Sequence, residues 1–213
     1  MAKAKDILIP SMSGEWSYIL GLIYADGYIH KGGLEIKLKE SDGYILKQIG
    51  GWLKYNLELN PRFDIVKRKD GFNGENSLRM RIHSVKFAKL LNSYGLKSNK
   101  SLTLKWPTSG LFMKDFIRGY IDGDGCICNS SNKLYTIILG SYDFLNGLSD
   151  YLHKTLSFNK RSILKHNNSK ISKIAYSTTD SKNLCDWIYS APLNFFLVRK
   201  HSKYLSYIEA SVC

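Results

Sequence analysis

The chain has 213 residues, 44% of them hydrophobic, and carries 31 Lys and Arg against 18 Asp and Glu, a formal net charge of +13. That apolar content supports a packed core and excludes a wholly disordered chain, and no apolar run reaches the roughly 18 residues of a membrane span. The charge is spread evenly, with 17 basic against 10 acidic residues in 1–100 and 14 against 8 in 101–213, which suits a long polyanion touched along its length. Cys126 and Cys128 are too close in an extended run to bridge easily, and Cys185 and Cys213 are distant. No second Cys pair or suitably spaced His completes a zinc site. The four Cys read as free thiols, so a reducing, intracellular compartment is expected.

Taken in order, the pattern predicts a helix from Gly14 to Asp26, with Trp16, Ile19, Leu20, Ile23 and Tyr24 at helical spacing and Gly27 closing it. Leu34, Ile36 and Leu38 alternate with Glu35, Lys37 and Lys39 as a half-buried strand. Asp42 is placed to cap a helix over Tyr44 to Tyr55, Arg62 to Lys69 and Ser77 to His83 form a strand pair, and Ser84 caps a helix through Phe87, Leu90 and Leu91. Residues 101–110 contain Pro107 and Gly110 and read as a linker. The order then repeats. Met113 to Asp124 is a helix, and Tyr135, Ile137 and Leu139 mark the inward face of a strand. Asp143 caps a helix through Leu145, Leu148 and Leu152. Arg161 to His166 and Ile171 to Thr178 pair, and Asp180 caps a helix through Leu184 and Ile188. The plan of helix, two strands, helix, two strands, helix occurs twice, as repeats 1–100 and 111–213.

The landmarks recur at near-constant offsets: Asp26 with Asp124, Asp42 with Asp143, Ser84 with Asp180, Lys100 with Lys200. Within the first helix of each repeat, Gly21 and Ala25 share a face, as do Gly119 and Gly123. Glycine inside a helix costs up to about 1 kcal/mol relative to alanine, and close packing of the two faces on a pseudo-twofold axis would offset it. Asp26 and Asp124 would then meet at two helix C-termini, where the helix dipoles and mutual repulsion both disfavour the carboxylates. A hard divalent cation, Mg²⁺, would relieve both, and paired acids with Mg²⁺ beside a basic surface suggest phosphodiester hydrolysis. Each Asp-Gly taken alone is ordinary helix-end punctuation.

YILGLIYADG (Tyr18 to Gly27) and FIRGYIDGDG (Phe116 to Gly125) resemble the two signature motifs of the LAGLIDADG homing endonucleases in their single-chain form, with the nine signature positions on Ile19–Gly27 and Ile117–Gly125. The resemblance implies an α+β fold of two pseudo-symmetric αββαββα repeats, packed through their motif helices and carrying a saddle of antiparallel sheets. It implies Asp26 and Asp124 as catalytic, metal-binding acids. The backbone carbonyls near Ala25 and Gly123 would complete the coordination of Mg²⁺, for which Mn²⁺ can substitute. The sixth signature position is kept by Asp122 and departs at Tyr24. The implied partner is double-stranded DNA, a long, imperfectly symmetric site cut in both strands to leave short 3′ overhangs. No obligate protein partner is needed, because both motifs are in cis, and no membrane is involved. Two alternatives share the fold: a maturase that binds intron RNA, and a DNA-binding protein that does not cut.

For the DNA surface, the alternation leaves Lys37, Lys39, Arg62, Arg68, Arg79 and Arg81 facing outward in the first repeat. In the second it leaves Thr136, Lys165, Lys173 and Ser177, so both sheets offer polar rows able to read base edges. Family members carry polar residues near the ends of the second and fourth strands, for which the nearest matches are Glu40 and Ser141, then His83 and Thr179. Basic residues near the last helices contact phosphates in the family, which points to Lys100 and Lys200, with Arg199 beside them.

Overall fold

The computed structural model describes residues 12–67, 75–98, 100–108, 110–130, 133–167, 170–192 and 194–211. The first repeat runs α1 (Gly14–Asp26), β1 (Gly27–His30), β2 (Gly33–Lys39), α2 (Gly43–Leu57), β3 (Arg62–Val66), β4 (Ser77–His83), α3 (Val85–Ser93). The second runs α4 (Met113–Asp124), β5 (Gly125–Ser130), β6 (Lys133–Gly140), α5 (Tyr142–Leu156), β7 (Leu164–Lys165), β8 (Ser172–Ser177), α6 (Thr178–Ile188), followed by α7 (Val198–Ala210). Each repeat builds one antiparallel four-stranded sheet, in the orders β1-β2-β4-β3 and β5-β6-β8-β7. These are two pseudo-symmetric αββαββα repeats, and none of the described helices is long and apolar enough to cross a membrane.

Helix α1 starts where the Ser13 side chain accepts from the Trp16 amide. Every residue from Trp16 to Tyr24 is then buried, the all-round burial expected of a helix at the centre of a core. Helix α4 is buried from Phe116 to Asp122. The two meet through their small residues. A Cβ on Gly21 would lie 2.0 Å from the Phe116 carbonyl oxygen, and one on Gly119 would lie 2.1 Å from that of Tyr18. One on Gly123 would lie 2.3 Å from the Ala25 Cβ. The backbones therefore touch where the Gly21/Ala25 and Gly119/Gly123 faces were expected to pair.

Several local expectations are corrected. Ser84 does cap α3, accepting from the Phe87 amide. Helix α5, however, is capped by Ser141, which accepts from the Phe144 amide, and Asp143 lies in its first turn. Asp180 likewise sits inside α6, whose N-cap residue is Ser177, and pairs with Arg161 at 2.6 Å. Asp42 makes no side-chain cap; it is buried against the Arg199 guanidinium at 2.7 Å. The phase of β6 is inverted: Leu134, Thr136, Ile138 and Gly140 are buried, and Tyr135, Ile137 and Leu139 lie on the open face. A slip of one residue exchanges the two faces of a strand. Strands β1 and β5 and helix α7 had no separate sequence expectation.

Candidate active site

Asp26 is the last residue of α1 and Asp124 the last of α4; each is followed by a glycine that opens a strand. These glycines are not in the left-handed region: φ is −72° at Gly27 and −99° at Gly125. Space is what excludes a side chain, because a Cβ would lie 2.6 Å from the Ile23 carbonyl oxygen at Gly27 and 2.6 Å from that of Ile121 at Gly125. The helix-to-strand corner is thus tight enough to carry each acid directly from helix end to sheet edge. Both acids line one cavity of about 390 Å³, together with Tyr28, Lys97, Lys100 and Tyr120. A Cβ on Gly123 would also come within 2.9 Å of Asp26 Oδ2, so that glycine keeps the Asp26 carboxylate in place across the two-fold.

The electrostatics of the pair follow from burial. Desolvation first, and the Asp124 charge second, push the Asp26 carboxyl up to about 7, against the pull of Lys200, Lys100 and Arg199. Burial also raises Asp124, opposed by Lys100 and Lys200. Burial thus disfavours the ionised form of both acids in spite of those cations, and their chemistry fits a divalent cation, whose binding would favour that form. Among the described residues no cluster of three or more His, Cys, Asp or Glu offers a metal site built from side chains alone.

The lysines at the matched offset were expected on phosphates; they are instead buried under the acids. Lys100 Nζ donates to the Ala25 carbonyl at 2.8 Å. Lys200, in the first turn of α7, donates to the carbonyls of Ile121, Asp122 and Gly125, each at 2.6 Å. Each lysine thus donates to carbonyls at the end of its own repeat's motif helix and opposes the negative end of the helix dipole; Lys200 shares Ile121 with the Gly125 amide and also reaches the first carbonyl of β5. Burial pulls both ammoniums down to about 8, while Asp124 and Asp26 support the charge of Lys100 and Asp122 that of Lys200. Lys100 thus uses one of the two lone pairs of the Ala25 carbonyl, the atom expected to help coordinate the metal. The signal in the sequence was the offset itself: a basic residue placed once per repeat where a helix end needs donors.

The remaining expected residues divide. Lys37 and Lys39 are exposed on β2, and Arg79 and Arg81 lie beside them on the open face of β4. Arg62 pairs in register with Arg81 on β3. Asp64 holds Arg79 at 2.5 Å and Arg81 at 3.0 Å, while Glu35 holds Lys37 at 2.9 Å. Lys173 and Ser177 are on the open face of β8. Thr136 is not; it is fully buried, and its hydroxyl is 2.7 Å from Ser181 Oγ. Lys165 pairs with buried Ser172 and so shares the helix-side face at the sheet edge. Arg199 is engaged by Asp42, and Arg68 lies outside the described residues.

The four polar residues expected around the acids are not gathered there. Ser141 is buried as the α5 cap and also bonds the Leu104 carbonyl. Glu40 lines a separate depression with Lys47. His83 and Thr179 are at the opposite pole, because β4 and β8 run antiparallel to β2 and β6: His83 pairs with Gly33, six residues from Lys39, and Ser177, just before Thr179, pairs with Tyr135. Asp122 is also structural; it is buried and accepts from the Tyr18 hydroxyl at 2.7 Å and the Leu197 amide at 2.8 Å. Its counterpart Tyr24 donates to the Tyr94 carbonyl.

No family model matches the chain. A curated relative, the DNA-directed RNA polymerase subunit Rpo1C of Methanocaldococcus jannaschii, is 26% identical over 137 residues, 63% of this chain and 15% of that subunit. The chain therefore spans under a sixth of that relative's length. Among solved structures, the meganuclease I-SmaMI bound to uncleavable DNA superposes with a TM-score of 0.61 at 12% identity, covering 93% of this chain and 90% of that one. I-DmoI in complex with DNA and Mn gives 0.55 at 18% identity, covering 84% and 98%. WhiA from Thermotoga maritima gives 0.61 at 14% identity, covering 95% and 63%. With two motif helices packed through glycine, an acid at the end of each and a four-stranded sheet beside each, the chain has the LAGLIDADG homing-endonuclease fold.

Proposed function

We propose that this chain is a site-specific, divalent-metal-dependent endonuclease that cuts both strands of a long duplex DNA target and leaves short 3′ overhangs. The observation that carries this reading is the meeting of Asp26 and Asp124 in one cavity, one acid from each repeat, at the two-fold between the sheets. A two-fold pair matches the two-fold relation between the strands of a duplex. Asp26 and Asp124 would hold Mg²⁺, or Mn²⁺ in its place. The bound cation would supply charge for the leaving oxygen and lower the pKa of the attacking water. The chain's own residues do the rest. Lys100 and Lys200 fix the helix ends that carry the acids, and the open faces of the sheets align the duplex. The even positive charge provides affinity through counterion release, so binding weakens steeply with salt. The protein acts as a monomer in a reducing intracellular compartment.

The test is strand-resolved cutting of duplex DNA with Mg²⁺, with Ca²⁺ in parallel, for the wild type, Asp26→Asn and Asp124→Asn. Each substitution is expected to remove double-strand cutting and leave duplex binding within a few-fold. Full cutting by either variant would place the chemistry elsewhere. A non-cleaving DNA- or intron-RNA-binding protein of the same fold is the second reading. It is favoured by one feature: the ammoniums of Lys100 and Lys200 already oppose the two acids and occupy the helix-end carbonyls. Tight duplex or intron-RNA binding with no metal-dependent cutting would establish it.

A further inference from the structure

The two sheets can be aligned residue by residue, because Gly27 pairs with Ile36 where Gly125 pairs with Ile138, and Leu34 pairs with Ile82 where Thr136 pairs with Tyr176. The open faces then correspond row by row. The middle row of the first sheet is Tyr28, Glu35, Arg81 and Arg62. Its counterpart in the second is Cys126, Ile137 and Ala175. The row nearer the acids is Lys37, Arg79 and Asp64 in the first sheet. In the second it is Leu139, Lys173 and Leu164. One surface is a charged lattice joined by ion pairs. In these two rows the other is apolar apart from Lys173, with Leu164 56% exposed, and polar side chains return only in the next row, at Tyr135 and Ser177.

That apolar face is continuous with the acid cavity, which Leu139 helps to line. Its apolar residues Ile137, Leu139, Leu164 and Ala175 stand where the first sheet carries Glu35, Lys37, Asp64 and Arg81. Whatever lies along the first sheet and over the acids therefore continues over the second. In a major groove the apolar feature on a base edge is the C5 methyl group of thymine, whereas guanine presents two acceptors suited to arginine.

We propose that the second repeat reads a thymine-rich half-site through Ile137, Leu139 and Ala175, while the first reads its half-site through hydrogen bonds. The inference rests on the duplex-DNA reading above. It makes the target chemically asymmetric: one half is chosen by donors and acceptors, the other by methyl groups.

The test is selection from a randomised duplex library by the full chain, followed by sequencing, for the wild type, Arg81→Ala, Ile137→Glu and Ala175→Arg. The wild type should enrich two blocks. Arg81→Ala should relax one of them. Ile137→Glu should lose thymine in the other and move toward cytosine, whose amino group a carboxylate can accept from. Ala175→Arg, at an exposed position that tolerates a long side chain, should gain guanine in the same block. Replacing thymine by deoxyuridine in that block of the enriched duplex should weaken binding about fourfold for each methyl in contact. It should have little effect in the block governed by Arg81. Enrichment of two blocks, with no thymine preference in the second and no effect of deoxyuridine, would overturn this inference and leave the duplex reading standing. Failure to enrich any duplex would overturn both.

Discussion

Replacing Gly21 or Gly119 by alanine tests the helix pairing on which the acid site depends. Taken alone, alanine in a helix should stabilise by up to about 1 kcal/mol. Here the added Cβ would lie 2.0 Å from a backbone oxygen at Gly21 and 2.1 Å from one at Gly119. An ordinary carbon-oxygen contact is well over an ångström longer, and neither obstacle is a side chain that can turn away. The helices themselves must separate. Overpacking costs typically about 1–3 kcal/mol, and a rigid backbone obstacle belongs at or beyond the upper end, so the net loss should be at least about 2 kcal/mol. For a chain of this size that lowers Tm by roughly 4–8 °C. Gly51, in the exposed middle of α2, is the control, since a Cβ there meets nothing within 4 Å; Gly51→Ala should raise Tm by a few degrees. The double variant should lose less than the sum of the two singles, because one separation of the helices relieves both clashes. Thermal and urea unfolding of the four variants and the wild type reads this directly. If Gly21→Ala were as stable as Gly51→Ala, the backbone contact between α1 and α4 would be wrong, and with it the juxtaposition of the acids.

Three further predictions concern the site. Asp26 has a folded pKa raised to about 7 from 3.8, so its contribution is fully present below about pH 4 and is lost as pH rises through 7. Without metal, Asp26→Asn should flatten this slope and be more stable than the wild type at pH 8, by up to about 4 kcal/mol; a parallel pair of stability-pH curves would refute the shift. Lys200→Met removes a donor shared by three carbonyls, of which only Ile121 keeps the Gly125 amide, and should cost roughly 2–4 kcal/mol in urea unfolding, more than Lys100→Met, which removes a donor from one. A maleimide should label exposed Cys126 and spare buried Cys185, and bound duplex should protect Cys126 in peptide mapping, unless the β5 face points away from DNA.

The sequence made the centre of the molecule legible and the second sheet misleading, for physical reasons. Gly21, Gly119 and the two Asp-Gly corners were readable because an unusual residue at a costly position implies a local demand. The stretch LYTIILG, by contrast, is apolar on both faces, so alternation could not decide its phase. What decided it was register, Gly125 against Ile138, which is a property of the pair of strands. The offset marks Lys100 and Lys200 as a pair, but composition alone puts them on the surface, where lysine ordinarily lies. Their burial depends on the helix ends above them, which only the assembled fold supplies. Asp42 and Arg199 are 157 residues apart, and no local pattern could join them.

The same reasoning explains where the two repeats agree and where they differ. A side chain added at Gly21 strikes the other repeat's backbone, and one added at Gly123 strikes Ala25 and approaches Asp26. Near the two-fold, then, a change in one copy is felt by both, and the copies match at Gly21 with Gly119, Asp26 with Asp124 and Lys100 with Lys200, while Tyr24 stands where the second copy has Asp122. On the open faces the ion pairs among the described residues stay within one sheet, as Arg81 meets Asp64. There Glu35 can stand against Ile137, and Arg81 against Ala175, without cost to the partner repeat. Geometry therefore couples the two repeats at the acids and leaves each open face free to differ, which is what the proposed reading of an asymmetric duplex requires.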